Sequence, residues 1–374
     1  MKWSYRLLRV SGIDIRVHAT FFIIVLLGAL DARQHFGPAG LWFGALLVCA
    51  IFLCVTLHEL GHSLVAQRFG VSVKQIVLLP IGGVAQLGSE PKTPWHELLI
   101  AIAGPLVNVL IAGVLFLSLQ PSWATLYDPL IGGDLPSPRA FATWLLVSNV
   151  WLAAFNMLPA LPMDGGRVLR ALLSMFLGKP RATRIAAGLG QLLAVGLIAL
   201  AFTSGPVTLA LIGMFVFLGA AQERTMQQTT GVLSELRAGE VCDPDASALS
   251  PGDHLGTVLD QLLRSPQSAF VVLHGHDLIG VVTREDVLHA APTVGPAVPI
   301  SRIMRRDCRV VSAELGLDQV RAMLGEARSP VVVMGPEGVL GVLSLEDIAR
   351  VAAVMQELAR RGLRRPIPSP APET

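Results

Sequence analysis

Apolar positions follow two regimes along the chain. Up to residue 222 they form long, nearly uninterrupted runs, whereas from 235 to 360 apolar and polar residues mix as in an ordinary soluble domain. A membrane-spanning helix needs about 20 mostly apolar residues. Six stretches are expected to qualify: approximately 15–31, 39–61, 97–119, 140–158, 185–203 and 206–222. The first is weak at its start, and the tight Thr203-Ser204-Gly205-Pro206 turn makes the last two a helical hairpin. Residues 71–87, VSVKQIVLLPIGGVAQL, are too short and broken for a span. Alternation in VSVKQIV predicts a strand, and Pro80 with Gly82-Gly83 a turn. A short β-hairpin or a re-entrant strand dipping into the membrane edge is therefore expected, where non-helical backbone is tolerated only against protein or a wet cavity.

The soluble regime repeats itself. Phe270–Leu288, FVVLHGHDLIGVVTREDVL, and Val331–Ala349, VVVMGPEGVLGVLSLEDIA, align without a gap at an offset of 61 residues. Each copy reads as an apolar strand, a polar turn, a second strand, and Thr/Ser-x-Glu-Asp opening a helix. A helix-like stretch precedes each, at 255–263 and 317–324. Two copies make a tandem α/β module, not a solenoid. The expected fold class is thus a membrane α-helical domain of six spans with a short membrane-associated β-hairpin, followed by a soluble α/β module. The expected boundaries are 1–228 for the membrane domain, 229–238 for a linker, 239–295 and 296–356 for the two copies, and 357–374 for a basic, proline-rich disordered tail.

Composition agrees with the division. Charged residues make up 15% of the 374, against about 25% in an average soluble domain, and mean hydropathy is +0.60. A net charge of +2 gives no basis for nucleic acid binding. The four cysteines, Cys49, Cys54, Cys242 and Cys308, lack C-x-x-C spacing, so neither a disulfide framework nor a cysteine zinc site is indicated. Arg16 and His18 interrupt the N-terminus before the apolar run and no small-residue cleavage site follows, which speaks against a cleavable signal peptide. Lys and Arg cluster before span one, after span two, between spans four and five and after span six, while the opposite side carries only Arg33 and Arg139. The positive-inside rule then places both termini in the cytoplasm of a plasma-membrane protein.

Against this apolar background stand His58, Glu59 and His62, in HELGH at the cytoplasmic end of span two. Ionisable groups there are costly to bury. Two histidines four apart share a helix face and can bind one Zn²⁺, with the adjacent Glu59 as a proton acceptor; an interfacial helix end with snorkelling histidines is the alternative. A catalytic zinc usually takes three protein ligands. In NMLPALPMDGGRVLRALL, Pro159 and Pro162 break span four just where Asp164 appears. Asp164 is then either a third ligand from the broken end or an N-cap for the helix that follows.

His58-Glu59-Leu60-Gly61-His62 together with Asn156-x-x-Pro159-x-x-Pro162-x-Asp164-Gly165 resembles the site-2 protease family of intramembrane zinc metalloproteases. Gly104-Pro105-x-x-Asn108 and Pro80-x-Gly82-Gly83 are also similar to family segments, and the resemblance covers about 1–222. It implies one catalytic zinc held by His58, His62 and Asp164, Glu59 as general base, and Asn156 orienting the substrate or the scissile carbonyl. For Asn108 a plain helix–helix hydrogen bond is the expectation. An extended substrate could add as a strand to the 71–87 segment.

The repeat resembles a pair of CBS (cystathionine-β-synthase-type) domains. In many members of that family the runs matching Gly280-x-x-Thr283-x-x-Asp286 and Gly341-x-x-Ser344-x-x-Asp347 touch the ribose and phosphate of an adenine nucleotide, ATP or AMP, while many other such pairs bind nothing. Hydroxyl and helix N-terminus suit phosphate and the carboxylates suit ribose, although the same residues suit plain helix caps. His274 and His276 in a turn lack a third ligand and are expected to be solvated. The resemblances imply a regulated intramembrane protease that cuts single-span membrane proteins, senses a nucleotide and forms a homodimer through its CBS domains. A CBS-regulated transporter and a non-catalytic zinc-dependent binder are the other classes considered; the helices show no inverted repeat of a transporter.

Overall fold

The computed structural model describes residues 3–361 apart from 81, 89–90, 92, 123–136, 204, 235, 243–247, 265–266, 268, 276, 328 and 337. It divides into two compact units, Met1–Thr225 and Met226–Thr374.

The first unit opens with a hairpin of β1 (Ser4–Val10) and β2 (Ile13–His18). Ser11 (φ 50°) and Gly12 (φ 82°) form the turn, the left-handed pair that a tight two-residue hairpin demands. In β2 burial alternates, with Ile13, Ile15 and Val17 inside. The start of the expected 15–31 span is therefore a strand. Its alternation is hidden in the sequence because an apolar helix, α1 (Phe21–Phe36), follows almost at once. Next come α2 (Pro38–Arg68), β3 (Val73–Leu79), β4 (Gly82–Leu87), α3 (Pro94–Leu119), α4 (Pro138–Asn156), α5 (Asp164–Leu177), α6 (Lys179–Thr203) and α7 (Val207–Ser234). At 1.5 Å per residue α2 is about 46 Å long, against roughly 30 Å of hydrocarbon in a bilayer.

Strand β3 pairs antiparallel with β4 and parallel with β2, giving a four-stranded sheet in the order β1-β2-β3-β4. The expected isolated hairpin is thus half of a larger sheet, with β3 in its interior and β4 at its edge. Among the described residues four helices are long and apolar enough to cross a membrane: Pro38–Arg68, Pro94–Leu119, Lys179–Thr203 and the Val207–Met226 part of α7. Four of the six expected spans correspond to these helices; the other two fall on α1, of 16 residues, and α4, of 19, which are not among them.

In the second unit the stretch 229–238 is not a free linker. Helix α7 runs through Ser234, and Leu233, Leu236 and Ala238 are buried in the core. A one-turn helix α8 (Ala238–Val241) leads to the first copy, α9 (Leu255–Arg264), β5 (Ala269–His274), β6 (Asp277–Thr283) and α10 (Arg284–Val294). The second copy is β7 (Arg309–Ser312), α11 (Leu317–Ala327), β8 (Val331–Gly335), β9 (Gly338–Leu343) and α12 (Leu345–Arg360). The antiparallel β5–β6 and β8–β9 ladders break register at equivalent places, Val272/Leu273 and Val333/Met334. Phe270 and Val272 face one core while Ala269 and Val271 join a cluster shared with Val332 of the other copy. Strands buried on both faces account for the unbroken FVVL and VVV runs. Helix α12 reaches into the expected tail, whose remainder lies outside the described residues.

Candidate active site

His58 and His62 lie one turn apart on α2, and both are buried. Asp164 reaches them from the start of α5. The N-cap position of that helix is taken by Met163, so Asp164 is the first helical residue and its carboxylate turns to the histidines instead of capping. His58 Nε2 and His62 Nε2 lie 3.1 and 3.2 Å from Asp164 Oδ2 and 3.1 Å from each other. Three donors around a tetrahedral Zn²⁺ at 2.0–2.1 Å stand about 3.3 Å apart. The donor set and its spacing therefore fit zinc.

The opposite ring nitrogens are also engaged. His62 Nδ1–H donates to the Ile100 carbonyl at 2.6 Å. A carbonyl only accepts, so Nδ1 carries the proton and the neutral ring presents a lone pair at Nε2, the tautomer a metal needs. His58 Nδ1 is hydrogen-bonded to Asn108 Oδ1. Asn108, fully buried on α3, in turn donates to Asn149 Oδ1 on α4 at 2.7 Å. Asn108 therefore makes the expected helix–helix bond and also touches a metal-ligand candidate. Helix α3 approaches so closely that a Cβ at Gly104 would stand 2.2 Å from His62 Nε2.

Glu59, half-buried, leaves α2 beside the histidines. A Cβ at Gly83 in the edge strand β4 would stand 2.6 Å from Glu59 Cγ. Bare backbone of the sheet edge thus lies against this carboxylate. Asn156 is the last residue of α4 and is half-buried. Arg167, one turn beyond Asp164, places its guanidinium 3.8 Å from Asp164 Oδ1. The structure thus brings His58, His62 and Asp164 together.

Sequence reasoning missed Asn149, an amide inside an apolar helix that its cost in lipid could have flagged. A second buried cluster is not legible in the sequence, where Arg170 is one of the cations between spans four and five. The Arg170 guanidinium is buried between Glu97 at the start of α3, with Nε–Oε1 at 2.6 Å, and Glu223 on α7.

In the second unit a cavity of about 790 Å³ is lined by Thr283, Arg284, Glu285 and His289 of the first copy and by Ser344 and Glu346 of the second. Arg305 also lines it. Thr283 caps α10 by accepting from the Asp286 amide at 3.1 Å, and its hydroxyl donates to Asp286 Oδ2 at 2.7 Å. Ser344 and Asp347 repeat the arrangement at 3.3 and 2.7 Å. Arg305 binds Asp286 Oδ1 through Nε at 3.0 Å and Nη2 at 2.6 Å. Burial pushes the Asp286 carboxyl up, but hydrogen bonds from Arg305 and Thr283 outweigh it and hold the group below the usual aspartate range. Thr283 and Ser344 line the cavity, and their hydroxyls and the Asp286 and Asp347 carboxylates are engaged with one another as helix caps. His274 is exposed at the end of β5, and His276 lies outside the described residues.

Comparison with known proteins agrees with this architecture. The model of peptidase family M50 matches residues 46–132 and 133–200, and that of the CBS domain 238–293 and 300–354. A zinc metalloprotease of Methanocaldococcus jannaschii is 32% identical over 95% of this chain and 98% of its own length. The putative zinc metalloprotease Rip3 of Mycobacterium tuberculosis is 29% identical over 92% of each chain. The solved site-2 protease from Methanocaldococcus jannaschii is 39% identical, covering 59% of this chain and 95% of its own, with a TM-score of 0.45. By its M50 and CBS matches and its full-length similarity to such a metalloprotease, this chain belongs to the site-2 protease family of zinc metalloproteases and carries a CBS domain pair.

Proposed function

We propose that the chain is an intramembrane endopeptidase that hydrolyses a peptide bond within or near the membrane segment of single-span proteins. The observation that carries this reading is the convergence of His58, His62 and Asp164 from two helices, with Glu59 beside them under a sheet edge. In this reading His58 Nε2, His62 Nε2 and Asp164 Oδ2 hold one zinc per chain. Zinc supplies Lewis-acid activation of water and of the scissile carbonyl. Glu59 takes the proton from the attacking water and returns it to the leaving amine. Asn156 orients the substrate from the broken end of α4.

A substrate helix must unwind to expose its peptide bond. Strand β3 cannot receive it, because β2 and β4 flank it. The proposed receptor for an extended substrate is therefore the edge strand β4, whose Gly83 backbone lies against Glu59. An edge strand offers unpaired backbone donors and acceptors to such a peptide.

The orientation read from the Lys/Arg pattern puts both termini and the CBS pair in the cytoplasm of a plasma-membrane protein, with α1 and α4 completing six spans. The cavity between Thr283 and Ser344 is proposed to take ATP or AMP and so to regulate cleavage, with the CBS pair joining two chains. Calorimetry with both nucleotides tests this, and no heat with no thermal shift removes it.

The metalloprotease assignment is tested by zinc stoichiometry beside cleavage of a single-span substrate. Wild type and Glu59→Gln are expected to hold one zinc, and His58→Ala and Asp164→Ala little. Glu59→Gln should lose about 10²–10⁴-fold in rate, the usual worth of a general base. Full cleavage by Glu59→Gln would refute the role of Glu59.

A further inference from the structure

We propose that Asn149 is a positioning residue for the metal site: it fixes the direction of the Asn108 amide and, through it, the His58 tautomer that offers a lone pair to zinc. The proposal rests on the reading of His58 as a zinc ligand. Its basis is a chain of hydrogen bonds whose polarity is set at one end only. Asn149 Nδ2 donates to the Leu145 carbonyl at 2.8 Å. That carbonyl cannot donate, so the Asn149 amide is fixed with Oδ1 facing α3. Asn108 must then present Nδ2 to Asn149 and Oδ1 to His58. Facing an oxygen, His58 Nδ1 carries the hydrogen, and Nε2 is left free to bind metal beside Asp164.

Both asparagines are fully buried, so water does not substitute for either partner. Cys54 is a further partner of Asn149. Its thiol is both a weak donor and a weak acceptor, and so does not compete with the backbone carbonyl in setting the direction. Without Asn149 the Asn108 amide is free to turn over. Its Nδ2 would then face His58 Nδ1, which would have to accept, and the hydrogen would move to Nε2, where the metal belongs. Partners one step behind a metal ligand are typically worth 10–100-fold in affinity.

The experiment is zinc affinity of the purified full chain, by competition with a chromophoric chelator, in a two-by-two set. Asn149→Leu is expected to weaken zinc about 10–100-fold. In an Asn108→Asp background the same Asn149→Leu change should cost nothing, because a carboxylate has no donor face to present to His58. Asn149→Asp, which keeps the acceptor toward Asn108, should retain wild-type affinity and serves if the leucine variant misfolds. Equal losses from Asn149→Leu in both backgrounds would mean that Asn149 serves packing alone and would overturn the proposal, as would wild-type affinity in Asn149→Leu or a loss in Asn149→Asp. His58→Ala is the control for the reading beneath: wild-type zinc binding in that variant would remove the ligand assignment itself, whatever Asn149 does.

Discussion

Gly104→Ala is the smallest change expected to disable the metal site. The His62 ring lies along α3, anchored at Nδ1 by the Ile100 carbonyl one turn before Gly104. A methyl group at 104 would stand 2.2 Å from Nε2, 2.5 Å from Cε1 and 2.7 Å from Cδ2. Ordinary contact needs about 3.5 Å, so the ring or the helix must yield by roughly 1 Å. Metal–ligand distances tolerate only about 0.2 Å. Overpacking of this kind costs about 1–3 kcal/mol, and at 1.4 kcal/mol per decade the zinc affinity should fall about 5–150-fold. Helix propensity works the other way, since alanine is favoured over glycine by about 0.8–1 kcal/mol in a helix interior. Gly113 on the same helix has nothing within 4 Å of an added Cβ, so Gly113→Ala controls for propensity. The assay is chelator competition on detergent-purified protein, with unfolding temperature measured in parallel. Gly113→Ala should bind zinc like wild type and melt no lower, while Gly104→Ala loses zinc. Wild-type zinc affinity in Gly104→Ala would show that His62 does not lie across Gly104 and would refute the reasoning.

Other perturbations separate the remaining parts. Arg170→Ala leaves Glu97 buried without its partner and should destabilise the membrane unit by about 3–5 kcal/mol, read by thermal unfolding; Arg170→Met combined with Glu97→Gln should cost less. Chelation should abolish cleavage and added zinc restore it, with activity tracking the zinc content of the protein. Adjacent N–H groups of β4 point to opposite edges, so of Val84→Pro and Ala85→Pro one removes a donor to β3 and the other a donor on the free edge. Both are expected to impair cleavage while leaving zinc bound. Asp286 is held below its ordinary value of 3.8, so its ion pair stabilises the second unit above that value and the contribution disappears as pH falls through the lower, folded value. Hydrogen-exchange protection around 281–287 should therefore be weaker in Asp286→Asn than in wild type at pH 7, and the difference should shrink toward pH 3.

The ligand candidates were legible because each belongs to a local pattern. His58 and His62 are spaced for one helix face, and Asp164 stands beside two prolines that end a helix. The tandem module was legible for a similar reason: its copies share one spacing, and their double-sided burial leaves continuous apolar strands. What escaped depends on contacts between distant segments. β2 pairs with β3 across two helices, and IDIRVH alone is too short to outweigh the apolar run behind it. Asn149, in SNVWLA, is one polar residue among apolar ones, and only its place opposite Asn108 gives it meaning. Arg170 reads in the sequence as one more cation between two spans, and only the fold sets Glu97 and Glu223 around it.

One helix without a ligand organises much of this site. On α3, Glu97, Ile100, Gly104 and Asn108 recur at close to the helical period, so they share a face. Along that face stand a carboxylate for Arg170 of the Asp164 helix, a carbonyl for His62 Nδ1, a bare backbone for the His62 ring and an amide for His58 Nδ1. Both histidines are oriented by α3, and the helix that carries Asp164 is tied to it by a buried ion pair. A rotation or one-residue slip of α3 would lose all four contacts together, which leaves one register in which the three donors can converge. Pro105 follows Gly104 directly and lacks the N–H that would bond the Ala101 carbonyl, so α3 has one fewer internal tie at the turn where His62 docks. The contacts with α2, α4 and α5 must hold that turn in place. Substitutions along this face of α3 should therefore perturb zinc binding more than substitutions of equal size on its outward face.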